Sequence, residues 1–182
     1  RVSIIEHSDV RRMLMDMKAK TEGMRTLAVK LALHSDLAEI YKTKDAGTAT
    51  FHEGQVDLLT PIVKAYCSDQ SYRITEEAIQ TYGGAGYVQD NPVEQYSRDA
   101  KIFSIYEGTN HIQAQDLVAR KIQAHGGASF AAFLQEVQDF ITKHDGQPGI
   151  SGEVKSLAGA VESLQKAAAT LMEFFMGGQV DQ

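Results

Sequence analysis

The sequence lacks the features of several protein classes. Its 182 residues include one cysteine, Cys67, so an internal disulfide is excluded and a reducing compartment, which we expect to be cytoplasmic, is favoured. Acidic residues outnumber Lys and Arg by 24 to 18. This balance argues against a nucleic-acid partner and a polybasic membrane anchor, which both need a basic surface. No apolar run approaches the roughly 20 residues of a membrane span, and the start lacks the apolar core of a signal peptide.

Helical periodicity is the dominant pattern. Apolar residues recur three and four positions apart, Ser, Thr and Asp stand where helices begin, and glycines stand where they end. The predicted helices run from Ser8 or Asp9 to Tyr41, from Gln55 or Thr60-Pro61 to Gly83-Gly84, from Pro92 to Ser104, and from Thr109 or Asn110 to Gly126-Gly127, with a loop over 42–54. Short connections and the absence of a strand pattern predict an all-α protein whose residues 1–125 form an up-down four-helix bundle.

Residues 126–182 are predicted to form a C-terminal helical hairpin extension. Ser129 is predicted to cap its first helix, residues 145–149 to form the turn, and Gly177-Gly178 to stop its second helix. The second helix has a seam of apolar residues that needs a partner helix: Val154, Leu157, Val161, Leu164, Ala168, Leu171 and Phe175. Packing within the hairpin and a subunit interface are both possible. Because the chain starts at Arg1, not Met, we expect a piece of a longer protein.

A glycine cluster follows the second predicted helix. Gly84-x-Gly86 begins like the dinucleotide fingerprint G-x-G-x-x-G, but Gln89 stands at the third glycine position and no strand precedes it. Three glycines in four residues indicate either a helix-ending turn or bare backbone that another molecule can approach. Both interpretations stay open.

Charged residues near this cluster offer further candidates. Arg98 could hold a carboxylate or phosphate, or form a salt bridge such as one with Glu94 four residues earlier. Glu107 lies at a turn beside Tyr106 and Gly108, where a carboxylate against apolar groups could accept a proton near neutral pH, or could simply be solvated. No metal site is predicted, because the spacing of the histidines does not suit metal ligation: His34, His52, His111, His125 and His144.

Read together, these motifs resemble a known family. Residues 78–113 are AIQTYGGAGYVQDNPVEQYSRDAKIFSIYEGTNHIQ, and residues 4–25 are IIEHSDVRRMLMDMKAKTEGMR. Both segments resemble the C-terminal helical domain of the acyl-CoA dehydrogenase family, and the likeness covers residues 2–123. Residues 124–182 resemble, on weaker grounds, an extra C-terminal region of bacterial members related to 3-methylmercaptopropionyl-CoA dehydrogenase.

The resemblance implies an enzyme that removes two hydrogens across Cα and Cβ of an acyl-CoA thioester. By position, Glu107 corresponds to the base that takes the α-proton, while hydride passes to N5 of FAD and electrons pass on to an electron-transfer flavoprotein. The backbone N–H of Glu107 would help to polarise the thioester carbonyl. Tyr106 would contact the acyl chain, and Gly108 would let the substrate lie against the backbone.

The resemblance also implies FAD-binding positions. Thr109 corresponds to a flavin contact within its own subunit, and Gln80 and Gly84, with Gly83 beside them, to positions that reach the FAD of a neighbouring subunit. The family often has Gln two residues after the threonine, whereas this chain has His111 at that cofactor-binding position. A homodimer or homotetramer is implied. The alternatives are an acyl-CoA oxidase, a non-catalytic or DNA-binding relative, and a helical oligomerisation module.

Overall fold

The chain folds entirely into helices over the residues described. The computed structural model describes residues 2–177; the predicted stop at Gly178 and the side chain of Phe175 lie outside that description. The seven α-helices of this part are α1 (Ser8–Tyr41), α2 (Ala46–Tyr82), α3 (Gly84–Tyr87), α4 (Val93–Lys101), α5 (Asn110–Asp116), α6 (Ala128–His144) and α7 (Ser151–Met176). Shorter helical turns span Ile4–Glu6, Ile102–Ser104, Leu117–Lys121 and Ala124–Gly127. The all-α prediction is confirmed.

The chain divides into two compact units, residues 1–117 and residues 118–182. The first unit contains α1 to α5, and the second contains α6 and α7. The sequence-based boundary between residues 125 and 126 lies a few residues beyond this division.

The long helices α1 and α2 form the antiparallel frame of the first unit. Near one end of the pair, Arg12 Nη1 bonds Glu77 Oε1 at 3.5 Å; near the other end, the Nδ1 atoms of His34 and His52 lie 2.9 Å apart. The largest buried side chains of the unit belong to α2 and include Leu58. Because α4 and α5 also pack on α2, this helix is the common support for everything that follows it in the unit.

The predicted loop over 42–54 was wrong, because α2 begins at Ala46. Asp45 caps the helix: its Oδ1 accepts from the backbone N–H of Gly47 at 3.0 Å, and its Oδ2 accepts from the hydroxyl of Thr48 at 2.6 Å. The cap satisfies backbone donors at the helix start. Packing on α1 then buries Ala49, which outweighs the loop preference of a Gly- and Thr-rich stretch.

The predicted start of the second helix was wrong for the same reason. Gln55, Thr60 and Pro61 all lie inside α2, and Pro61 is fully buried. A proline inside a helix cannot supply the N–H for the bond to the carbonyl four residues earlier. Burial of Pro61 beside Leu58 and Leu59 in the same core offsets that loss.

Predicted helix ends were correct at two places and wrong at three others. One wrong end is the one predicted at Gly126-Gly127, because α5 ends at Asp116 and separate short helical turns follow it. Gly83, with a φ of 63°, ends α2 as expected, and Thr109 Oγ1 accepts from Ile112 N at 3.4 Å to cap α5. Neither Ser8 nor Asp9 caps α1, since the N-cap position is His7 and no side chain bonds there. Ser129 is not the N-cap of α6 either; that position is Gly127, and Ser129 is buried inside the helix.

The second unit is a helical hairpin. Ile141 of α6 packs with Val154 and Val161 of α7, and these buried residues are surrounded by Leu134, Val137, Ile150, Leu157 and Ala158. The seam predicted on the last helix therefore packs within the chain over its first half. Further along α7, Leu164 and Leu171 are exposed, because α7 has 26 residues and α6 only 17.

Candidate active site

The turn that carries Glu107 has an unusual backbone. Glu107 has a φ of 53° and Gly108 a φ of 81°. The first value is rare for a residue with a Cβ, and such strained positions often coincide with functional sites. Gly108 is required for a second reason: a Cβ there would lie 3.1 Å from Nε2 of Gln113. The fixed turn leads directly into α5.

Glu107 borders an open pocket of about 310 Å³ between α2 and the segment before α5. Its lining is mainly apolar and comprises Val63, Lys64, Cys67, Ser68, Ser71, Phe103, Tyr106 and Glu107. Within residues 2–177, no side chain or backbone group bonds the Glu107 carboxylate. The sequence left two interpretations of Glu107 open, a carboxylate against apolar groups and a solvated carboxylate. The Glu107 side chain is exposed at the rim of the pocket.

Two aromatic residues and a thiol form most of the apolar wall. The rings of Phe103 and Tyr106 lie 6.1 Å apart between centroids, and both side chains keep 40% or more of their surface accessible. Cys67 faces the same space, and burial raises the pKa of its thiol. A neutral thiol at this position contributes to an apolar surface.

The Glu107 turn is tied to α2 by a lysine. Lys64 Nζ donates to the carbonyl oxygen of Gly108 at 2.6 Å and to Oδ1 of Asn110 at 2.9 Å. The preceding carbonyl, that of Glu107, accepts a weaker bond from Gln113 Nε2 at 3.3 Å. Both carbonyl groups of the turn are therefore held, while the carboxylate of Glu107 is left for other partners.

Asn110 completes the attachment through its side-chain amide. Nδ2 of Asn110 donates to Oδ1 of Asp69 at 2.8 Å and to Oγ of Ser68 at 2.9 Å, and Ser68 Oγ can then donate to the carbonyl of Ala65 at 3.0 Å. If the side-chain amide of Asn110 were rotated by 180°, its NH₂ group would face the ammonium of Lys64 and its oxygen would face the carboxylate of Asp69. The charges of Lys64 and Asp69 thus fix one orientation.

The glycine cluster separates into three different roles. Gly83 ends α2 with a positive φ, and Gly86 is buried so closely that a Cβ would lie 2.7 Å from the carbonyl oxygen of Ile79. Gly84 has neither constraint, since its φ is ordinary and no atom of the described chain lies within 4 Å of a Cβ built there. Two glycines are explained by the fold, and Gly84 leaves open space beside the backbone.

The structure does not bring all predicted site residues together. Tyr106 and Glu107 border the pocket, and Gly108 adjoins them. Gln80, by contrast, lies 16 residues beyond Lys64 on the same helix, which is about 24 Å at the rise of an α-helix. Gln80 and His111 are both exposed. The candidate residues thus form two separate regions on one helical frame.

One other sequence interpretation is settled by a contact. Arg98 Nε pairs with Glu94 Oε2 at 3.2 Å, so the salt-bridge interpretation of Arg98 is confirmed. Among the described residues, no three His, Cys, Asp or Glu side chains are grouped to hold a metal ion. Over the same part of the chain, none of the helices combines the length and the apolar character that crossing a membrane requires.

Sequence reasoning missed the residues of α2 that face the Glu107 turn, including Lys64 and Ser68. One signal was available, because Lys64 is the single charged residue in the stretch PIVKAYC from Pro61 to Cys67. A lone charge in a buried helix face usually has a specific partner. The partners themselves lie more than 40 residues further along the chain, so spacing could not identify them.

Comparison with known proteins identifies the family of this fold. Residues 1–123 match the family model described as acyl-CoA dehydrogenase, C-terminal domain. The chain belongs to the acyl-CoA dehydrogenase family. The match includes α1 to α5, and with them the Glu107 turn and the glycine cluster.

Individual relatives agree with this family assignment. The chain is 42% identical over 183 residues to the broad-specificity linear acyl-CoA dehydrogenase FadE5 of Mycobacterium tuberculosis, covering 100% of the chain and 30% of that protein. It is 39% identical over 136 residues to 3-methylmercaptopropionyl-CoA dehydrogenase of Ruegeria pomeroyi, covering 75% of the chain and 23% of that protein. A butyryl-CoA dehydrogenase of Syntrophomonas wolfei is 34% identical over 170 residues, covering 93% and 27%.

A solved structure supports the fold as well. The structure described as Bd2924 apo-form has a TM-score of 0.61 and 23% sequence identity, and covers 95% of this chain and 35% of its own chain. The chain spans between 23% and 30% of the length of the three relatives named above.

Proposed function

We propose that this chain is the C-terminal domain of an FAD-dependent acyl-CoA dehydrogenase and that Glu107 is its catalytic base. The observation that carries the proposal is the position of Glu107: a carboxylate without a partner in the described chain, on a strained turn, at the rim of a mainly apolar pocket. A carboxylate at such a rim can take a proton from the carbon next to a thioester carbonyl.

The residues around Glu107 support the same chemistry. Tyr106 and Phe103 give the pocket an aromatic wall suited to an acyl chain. Gly108 removes side-chain bulk from the turn, so a thioester could lie against the backbone beside Glu107. Glu107 would accept the α-proton, and FAD, when bound, would supply the acceptor for the β-hydrogen as hydride, so that a double bond could form between Cα and Cβ.

The exposed residues away from the pocket fit a bound FAD. Gly84 offers open space beside its backbone, and Gln80 lies one helical turn before it with an exposed amide. The hydroxyl of Thr109 accepts one hydrogen bond and can still donate its proton to another group. His111 supplies an exposed imidazole on the first turn of α5. We propose that Gln80, Gly83 and Gly84 serve the FAD of a neighbouring subunit.

Partners and location follow from the same proposal. The substrate would be an acyl-CoA, the electron acceptor an electron-transfer flavoprotein, the assembly a homodimer or homotetramer, and the location cytoplasmic. The relatives named above include enzymes for linear, butyryl and 3-methylmercaptopropionyl thioesters. The proposal names the acyl-CoA class of substrate and no particular acyl group.

Glu107→Gln in the full-length protein tests the proposal. The amide keeps the size of the side chain but cannot accept the α-proton, so turnover should fall by about 10²-fold or more while FAD absorbance stays. Glu136→Gln, on the exposed face of α6, is the matched control. Unchanged turnover in Glu107→Gln would contradict the role of Glu107.

A second candidate is an oligomerisation module. It is favoured by the exposed apolar residues on the later part of α7, which include Leu164, Leu171, Met172 and Phe174. Sedimentation of the chain with Leu164→Gln and Leu171→Gln tests it, because loss of self-association is expected only if these residues form an interface. The two proposals are compatible.

A further inference from the structure

One cation of α2, the ammonium of Lys64, bonds both the carbonyl of Gly108 and the side chain of Asn110. We infer that Lys64 is a positioning residue that holds the Glu107 base in place through the Gly108 carbonyl and the Asn110 amide. The inference rests on the proposed function for its catalytic meaning, while the attachment itself can be tested without any activity.

The strained backbone of the turn explains why it needs an attachment to α2. We call this attachment the clamp; it consists of the bonds from Lys64 Nζ to the carbonyl of Gly108 and to Oδ1 of Asn110. Glu107 and Gly108 both have positive φ values, and for a residue with a Cβ this conformation is strained and persists only where its surroundings enforce it. The bond of 2.6 Å from Lys64 Nζ to the carbonyl of Gly108 is the shortest one that reaches this turn. A charge-assisted hydrogen bond contributes more than a neutral one, so Lys64 is well suited to enforce the conformation.

Asn110, the residue after Thr109, adds a second point of attachment to α2. Its Oδ1 accepts from Lys64 and its Nδ2 donates to Asp69. Since Lys64 and Asp69 are both on α2, the start of α5 is fixed to the same helix as the turn. Ser68 lies beside this pair with only 6% of its surface exposed, and its Oγ accepts from Asn110 Nδ2 at 2.9 Å.

The position of Lys64 separates a positioning role from a direct one. Lys64 borders the pocket, and two of the three N–H donors of its ammonium are bonded to groups of the chain. In the positioning role, Lys64 acts on the reaction through the backbone that carries Glu107. Loss of Lys64 should let the turn leave its strained conformation, which moves the carboxylate and lowers the rate of proton removal.

Backbone NMR relaxation of the chain tests the clamp directly. In Lys64→Met, the ¹⁵N order parameters of Gly108 and Thr109 should fall from the roughly 0.85 of a rigid backbone to below about 0.6. Asn110→Ala should produce the same change with Lys64 intact, and it decides the matter if Lys64→Met does not fold. Lys44→Met, at an exposed lysine in the α1–α2 turn, is the control. Rigid values in Asn110→Ala and in any folded Lys64→Met would overturn the inference.

Kinetics of the full-length protein test the catalytic meaning. Lys64→Met should lower kcat by about tenfold or more with KM little changed, as expected for the loss of one hydrogen bond to a charged group. Lys64→Arg, which keeps a cationic donor, should recover part of the rate. Wild-type kcat in a Lys64→Met protein whose turn is mobile would overturn the positioning role. If Glu107→Gln left turnover unchanged, the proposed function would fail, and the NMR measurement would still judge the clamp.

Discussion

The Nδ1 atoms of His34 on α1 and His52 on α2 lie 2.9 Å apart. Two facing ring nitrogens can bond only when one carries a proton and the other does not, so the two rings must share a single hydrogen. Tyr41 stacks on His52 with 6.2 Å between ring centroids, which limits other orientations. The pair links the two longest helices of the first unit.

We expect the two histidines to be energetically coupled. In a double-mutant cycle of His34→Ala and His52→Ala, the free energies of unfolding should differ from additivity by about 0.5–1.5 kcal/mol. Circular dichroism in urea is the measurement, because the chain has no tryptophan. A cycle of His34→Ala with Lys18→Ala on the exposed face of α1 should be additive. Additivity in the histidine cycle would show that the bond contributes nothing to stability.

The cap of α2 should make stability depend on pH. Hydrogen bonds from the hydroxyl and backbone N–H of Thr48 hold the pKa of Asp45 below its ordinary value of 3.8. Because the folded pKa is the lower one, the stabilisation is complete above 3.8 and is lost as the pH falls through the folded pKa. The difference in melting temperature between wild type and Asp45→Ala should therefore be large near neutral pH and shrink in acid.

Asp45→Asn provides the control for that experiment. Asparagine keeps an oxygen that can cap the helix but has no titrating carboxyl, so its difference from Asp45→Ala should not change over the same pH range. A wild-type advantage that stayed constant into acid would contradict the role assigned to the ionised carboxylate.

Cys67 should react slowly with alkylating reagents. Only the thiolate is nucleophilic, and burial raises the pKa of this thiol above its ordinary value of 9.0. Iodoacetamide at mildly alkaline pH should therefore modify the folded chain more slowly than the chain unfolded in urea, as followed by mass spectrometry. Equal rates for the two states would mean that Cys67 is freely exposed, and that the apolar wall of the pocket is not formed in solution.

The two glycines of α3 form a matched pair. Gly86→Ala places a Cβ 2.7 Å from the carbonyl oxygen of Ile79 and should destabilise the chain by about 1–3 kcal/mol. Gly84→Ala meets no atom within 4 Å, and its effect on unfolding should stay within about 0.5 kcal/mol. Urea unfolding of both variants is the measurement. Similar losses in the two would contradict the packing described for α3.

The same pair separates folding from cofactor binding in the full-length protein. If the space beside Gly84 accepts FAD, Gly84→Ala should weaken FAD retention although the fold is unchanged. Absorbance of the bound flavin after gel filtration measures this effect. Retention equal to wild type would remove Gly84 from the proposed cofactor site.

Much of this fold could be predicted from sequence where the signal is local. The glycine at position 83, the cap at Thr109 and the Glu94–Arg98 pair depend on residues within four positions of one another, and each was predicted correctly. The start of α2 at Ala46 could not be predicted in this way. Packing of its first turns against α1 decides that start, and the partner residues are distant in sequence.

The candidate site also shows a difference between local patterns, which the sequence reveals, and contacts between distant residues, which it does not. Motif order drew attention to Tyr106, Glu107 and Gly108; the structure places the first two at the rim of one pocket, with Gly108 next to them in the chain. The clamp formed by Lys64 and Asn110 depends on a hydrogen bond between residues 46 positions apart, and single-sequence patterns carry no information about such a pair. The three roles within the glycine cluster likewise depend on what surrounds each glycine in the fold, which the sequence pattern does not specify.

The continuity of α2 restricts insertions and deletions between Lys64 and Gly83. From Lys64 to Tyr82, the residue before Gly83, α2 is uninterrupted, and every residue of it adds 1.5 Å and a rotation of about 100°. Inserting a single residue between them would swing the glycine turn by more than a quarter of a circle relative to the Glu107 loop. The number of residues between the two positions is therefore fixed, even where an exposed side chain along that stretch can be replaced.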